Sequence, residues 1–223
     1  MSSSLGAFIS PPAHYNVDDT RPGIVPQLYK NDTLNDCVIA ARAHHTVRLD
    51  YNTGPTLIPD ITPSEVENEY DAEASYPGDG IAVSDSLARW QNPGWFAGGV
   101  QRHIDAFSDP LSLNNSGAMA GDATTDLNVT GLQNCIIAHT GVHIELKLPD
   151  WITFDDKTSF GPGHDWTDTS QPPESANRHV ILLTGYDQTG FIGITWGVQQ
   201  RMTWAFLTTY CIGVYWVTKD SVA

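Results

Sequence analysis

The hydrophobic rhythm of the chain changes near its middle. From Asp36, apolar and small residues run through Cys37, Val38, Ala40, Ala41, His44, His45, Val47, Arg48 and Tyr51 without Gly or Pro until Gly54. That run predicts a helix of about four turns with Asp36 capping its N-terminus. Thr62-Pro63-Ser64-Glu65 places Thr three residues before Glu and Pro at the first helical position, predicting a second helix that runs to about Ser75. A third, Val83 to Trp90, follows the turn Gly78-Asp79-Gly80, and Asn92 to Gly99 reads as a glycine-rich loop. Beyond Gly99, Val100 to Phe107 alternates loosely and Leu111 to Gly121 is small and polar. Leu127 to Ala138 predicts another helix, and Val142 to Leu148 alternates as a strand does. Trp151 to Ala176 is a long polar loop, a length that in compact domains usually serves function. Strands at His179–Tyr186, Phe191–Trp196 and Gly213–Thr218, with a helical turn at Met202–Tyr210, close the chain.

Helices first and strands second predict an α+β fold, one domain with an N-terminal helical lobe and an antiparallel sheet lobe. The expected division is an irregular proline-rich strap over residues 1–28, a mainly helical lobe over 29–99 and a mainly sheet lobe over 100–223. With 40% hydrophobic residues, the 223-residue chain is long enough to bury a substantial core. A cleft between the lobes is the natural place for a site.

Charge narrows the partners. Twenty-six acidic against 11 basic residues give a net charge of −15, which repels phosphate backbones and anionic lipid, so nucleic acid and membrane surfaces are not expected partners. No apolar stretch approaches the roughly 20 residues of a membrane span, and the opening MSSSLGAFIS carries no visible signal-peptide pattern. Oligomeric state is not readable from these residues.

Three cysteines, Cys37, Cys135 and Cys211, leave at least one thiol unpaired within the chain. Cys37 begins a helix, where unpaired N–H groups and the dipole favour thiolate; buried packing is the competing reading for any lone cysteine. Cys135 and Cys211 read as core residues. His179 starts the apolar strand Val180-Ile181-Leu182-Leu183, which fixes its imidazole at a strand end. His139 and His143 have no companions at zinc-like spacing, and His44 and His45 read as packing or solvent residues, so neither a metal nor another cofactor is expected.

Asn31-Asp32-Thr33-Leu34-Asn35-Asp36-Cys37 before a helix resembles the nucleophile region of the papain-like cysteine peptidase superfamily, including its bacterial leader-peptide peptidases with an Asp-Cys pair. Arg178-His179-Val180-Ile181-Leu182-Leu183-Thr184-Gly185-Tyr186 resembles the superfamily's histidine strand, about 140 residues after the cysteine. Thr195-Trp196-Gly197 is similar to the Ser-Trp-Gly that follows the family's catalytic Asn. The resemblance implies Cys37 as nucleophile, His179 as acid and base, Asn31 as oxyanion donor and Trp196 as a shield beside the histidine. One position departs: Ile194 stands where the family has Asn, and it cannot accept a hydrogen bond. Thr195 with its hydroxyl, or Asp187 in a turn, is left as the third group. His164 and Asp165 in the long loop are candidate substrate contacts, with a solvated loop as the alternative.

The implied activity is a cysteine-dependent hydrolase, a peptidase or isopeptidase acting on a peptide or protein through a thioester. Two alternatives stand beside it: a papain-like binding or structural module without the chemistry, which Ile194 favours, and an acyl transferase using the same Cys-His pair.

Overall fold

The first long helix explains the architecture. In the computed structural model, which describes residues 10–21, 23–53, 58–109, 111–113 and 126–222, α1 (Cys37–Thr53) is buried nearly all round. Small Ala40, Ala41 and Ala43 let its neighbours approach closely, and a helix enclosed on every side must be central rather than superficial. Its buried polar residues are partnered. Arg48 pairs with Asp18 at 2.6 Å, Arg42 with Glu69 and Glu73 at 2.6 and 2.8 Å, and His45 Nδ1 lies 3.1 Å from His143 Nε2. Neither His44 nor His45 faces solvent; of the two readings, packing or solvent, both are packing residues.

The elements run in this order. β1 (Tyr15–Asn16) precedes a 3₁₀ turn (Val17–Thr20) and α1; α2 (Pro63–Glu73), α3 (Val83–Gln91), β2 (Trp95–Ala97), β3 (Val100–Phe107), β4 (Ser112–Leu113) and β5 (Asp126–Leu127) follow. Then come α4 (Val129–His139), β6 (Val142–Lys147), β7 (Arg178–Tyr186), β8 (Phe191–Thr195), β9 (Val198–Met202), α5 (Trp204–Tyr210), β10 (Cys211–Tyr215) and β11 (Val217–Val222). The Thr62 and Glu65 side chains form the expected capping box at α2, and Asn128 and Thr203 cap α4 and α5. Helix α4 stops where Thr140 takes a left-handed conformation and Gly141 follows; a Cβ on Gly141 would lie 2.9 Å from the Leu183 carbonyl.

The main sheet is antiparallel in the order β10-β6-β7-β8-β9, with β1 pairing the far end of β7. A second antiparallel sheet has the order β11-β3-β2. Strand β7 is the wall shared by two cores. Val180 and Leu182 point into the core built on the helices, while Ile181 and Leu183 point into the core of the main sheet, as period-2 alternation requires.

Several expectations need correction. The N-terminal strap is not wholly irregular, because β1 and the 3₁₀ turn tie it to β7 and, through Asp18, to α1. Strand β9 was not anticipated. The predicted strand Gly213–Thr218 is two: β10 pairs with β6, and after Trp216 the chain crosses to pair β11 with β3. A boundary at residue 99 does not separate the cores either, since Ile104 and Val217 pack with the helices. The small polar stretch after Leu113, with Asn114, lies outside the described residues.

Candidate active site

Cys37 is the first residue of α1, so its own N–H has no acceptor within the helix. Helix α1 packs across β7, and this brings the thiol to the strand's start: Sγ accepts hydrogen bonds from the backbone N–H groups of Val180, the residue after His179, and of Val38. Cys37 is half-buried, while Cys135 is buried and Cys211 half-buried; all three are free thiols.

The imidazole of His179 is held from two directions. Its Nε2 lies 2.6 Å from Thr195 Oγ1, and its ring stacks on Trp196 at 4.5 Å with 26° between the planes. Ile194 cannot take Thr195's place, because it faces Leu182 across the sheet and is enclosed in apolar packing. Asp187, the other candidate third group, is occupied in its turn by Thr189, Gly190 and Arg201. Thr195 therefore leaves Nδ1 as the nitrogen available to a thiol in the tautomer whose Nε2–H donates to the hydroxyl.

Backbone strain collects around this group. Trp196 has φ +45°, a conformation that costs a non-glycine residue on the order of 1–3 kcal/mol. The turn entering Asn31 has positive φ at both Tyr29 and Lys30, and Asn31 N–H donates to the Leu28 carbonyl at 3.0 Å. These two loops touch, for a Cβ on Gly197 would sit 3.0 Å from the Leu28 backbone nitrogen. Asn31 is half-buried, and its side-chain amide makes no hydrogen bond among the described residues.

Phe160 packs on Trp196 at 4.8 Å and Trp166 approaches it edge-on at 6.5 Å, so the long loop forms an aromatic cover behind the histidine. His164 and Asp165, from the same loop, are exposed and engage β9 instead: the His164 carbonyl accepts from Gln200, and Asp165 faces Arg201 at 3.6 Å.

Burial dominates the electrostatics. It pushes the Cys37 thiol up to about 11, with Asp36 and Glu145 adding to the rise and the Val180 and Val38 N–H groups opposing it. It holds His179 down at about 3. Both groups are neutral at rest near pH 7. Asp36 was missed as anything but a cap, yet neither carboxylate oxygen has a hydrogen-bond partner among the described residues, and burial raises it to about 8. The cysteine is thus preceded by a buried carboxylic acid.

Among the described residues no group of three or more His, Cys, Asp and Glu side chains is placed to hold a metal, and no helix is long and apolar enough to cross a membrane.

No protein-family model matches the chain, and no curated protein matches it. Solved structures do. Xylellain, a cysteine protease from Xylella fastidiosa, superposes with a TM-score of 0.59 at 12% identity over 94% of this chain and 87% of its own. A Carica candamarcensis cysteine protease gives 0.61 at 13% over 93% and 99%, and procathepsin L 3 of Tenebrio molitor gives 0.64 at 10% over 95% and 72%. The chain has the papain-like fold, a mixed helix and antiparallel-sheet architecture shared with these cysteine proteases.

Proposed function

We propose that this papain-like chain is a cysteine-dependent hydrolase of peptide or isopeptide bonds, with Cys37 as nucleophile and His179 as acid and base. The observation that carries the reading is the meeting of the thiol at the helix start with the backbone beside His179, whose far nitrogen Thr195 engages. As Sγ attacks the substrate carbonyl carbon, its proton passes to His179 Nδ1 and the carbonyl electron pair becomes an oxyanion. The Cys37 N–H and the Asn31 amide are the donors for it, each worth about 2.7–4 kcal/mol in comparable sites. Collapse expels the amine, which takes the proton from His179 and leaves a thioester. Water then attacks with His179 as base, releasing the acid and restoring the thiol. An amine in place of that water would make the same machinery an acyl transferase.

One observation favours a module without chemistry: burial keeps thiol and imidazole both neutral at rest. Alkylation of Cys37 by iodoacetamide, followed by mass spectrometry across pH 5–10, separates the readings. For the hydrolase, Cys37 reacts well below the ordinary thiol pKa of about 8.5, and His179→Ala abolishes that low-pH arm. Equal, slow labelling in both proteins rejects the enzyme.

Thr195 is argued to position the imidazole. Thr195→Val strands a buried Nε2, at a cost of about 1–3 kcal/mol or roughly 5- to 150-fold in the low-pH alkylation rate. Thr195→Ser should restore both the rate and the shape of the pH profile; a Val variant with an unchanged profile removes Thr195 from the mechanism.

A further inference from the structure

A second polar group lies beside the thiol, and the reaction does not use it. Gly213, Glu145 and Val180 form one row across β10, β6 and β7. Registered residues share a face, and this is the face on which α1 lies, since Val180 belongs to the helical core and donates to the Cys37 sulfur through its backbone. Tyr215, two residues after Gly213 on the same face, donates from Oη to Glu145 Oε2 at 3.4 Å.

The missing side chain at Gly213 has a reason here. A Cβ there would come within 3.0 Å of the Tyr215 ring, 3.2 Å of its hydroxyl and 3.4 Å of Glu145 Oε2. The row is thus kept open for a carboxylate and a phenol. Glu145 is close enough to bear on the Cys37 thiol electrostatically. Among the described residues its ion-pair partner is Arg178, at the start of β7, whose side chain is 58% exposed while that of Glu145 is only 14% exposed. An ion pair with one well-solvated member contributes about 0–1 kcal/mol, so a competing cation can replace that member.

We propose that Glu145 and Tyr215 form a specificity site for a cationic side chain, Lys or Arg, of the peptide substrate, with Arg178 standing in for it in the free protein. The site lies on the acyl side of the scissile bond. Strand β6 flanks β7 opposite β8, which carries Thr195 and leads into Trp196, and the leaving amine departs toward His179 on that second side. The net charge of −15 favours approach of the same class of substrate. This assignment rests on the hydrolase reading for its role, while the binding it asserts is measurable without turnover.

The decisive measurement uses the Cys37→Ala protein and two peptides that differ only in arginine against its uncharged isostere citrulline, titrated calorimetrically at each acyl-side position. At one position the arginine peptide should bind at least tenfold tighter, Glu145→Gln in the same background should bring the ratio close to one, and Arg178→Ala should raise the affinity for arginine. Thermal unfolding of each variant checks that it is folded. Equal binding of the two peptides at every position, or a preference that survives Glu145→Gln in a folded protein, overturns the proposal. In the intact protein the same selectivity should appear in kcat/KM. If arginine-selective binding is found but Cys37 labels as an inert thiol, the hydrolase reading fails and the Glu145 site stands.

Discussion

Arg42→Met is expected to lower the stability of the protein by about 3–5 kcal/mol, because it removes one partner of a buried charge cluster and leaves the others in place. The Arg42 side chain is fully enclosed. Its guanidinium stacks over the Trp95 ring at 4.5 Å, reaches Glu69 and Glu73, and donates to both the Ser86 carbonyl and hydroxyl at 3.0 Å. Burial pushes both carboxyls up, but Arg42 together with hydrogen bonds from Arg42, Arg89 and Glu73 brings Glu69 below its usual range, while Glu73 stays raised. The two acids are therefore shifted in opposite directions, the surroundings favouring the charged form of Glu69 and disfavouring that of Glu73. Without Arg42, the cation left to the cluster among the described residues is Arg89 at its edge, whose side chain is 35% exposed. For a chain of this size the loss corresponds to a fall in Tm of roughly 6–20 °C. Arg42→Met combined with Glu69→Leu and Glu73→Leu should recover much of it, since replacing the three enclosed charged side chains together strands none of them, and Arg89 is exposed enough to turn to solvent. Calorimetry checks both, and a single variant within 1 kcal/mol of the parent would mean that water reaches the cluster.

This cluster also shows where sequence reading stopped. Helix α1 was legible because nothing between Cys37 and Thr53 interrupts a helix, α2 because Thr62 and Glu65 sit at capping spacing, and β7 because four apolar residues in succession suit a strand covered on both faces. The pairing of Arg42 with residues 27 and 31 positions away was not legible, nor was the contact of His45 with His143, 98 positions away. Periodicity identifies a buried face but does not name what lies across it. Strand β9 escaped because Val198-Gln199-Gln200-Arg201-Met202 has the composition of a loop. It is a strand because Gln200, fully enclosed, has its amide bonded to Gly161 N–H and to the His164 and Arg201 carbonyls, so the long loop covers it. At the site, Cys37 and His179 carried recognisable surroundings. The choice between Thr195 and Asp187 waited on register, for a strand shifted by one residue turns every side chain to the other face.

Acid should unfold this protein early and steeply. His44 and His45 are each held at about 3, and so is His179; His143 is also held well below the ordinary histidine range, in every case chiefly by burial. The folded chain keeps all four neutral where the unfolded chain, with ordinary values near 6.5, takes up protons. Their contribution is therefore fully present above about pH 6.5 and is lost as pH falls toward 3, by up to about 1.4 kcal/mol per pH unit for each. The His45–His143 contact sharpens this, since the His45 ring and Arg42 both oppose a proton on His143. Asp36 acts in the reverse sense. Burial raises it to about 8, helped by Asp32 and Glu67, so the folded state retains a proton that the unfolded chain releases near pH 4. Its burden on stability grows from about pH 4 to 8 and then levels. Urea midpoints measured by circular dichroism should peak between these two trends and collapse between pH 6 and 4. Asp36→Asn removes one slope and leaves the other: its stability relative to the parent should improve steadily from pH 4 to 8, by at most about 1.4 kcal/mol per unit, with the acid collapse unchanged. A difference between the two proteins that is independent of pH would show that Asp36 is already ionised in the fold, and that water or a cation reaches the carboxylate beside Cys37.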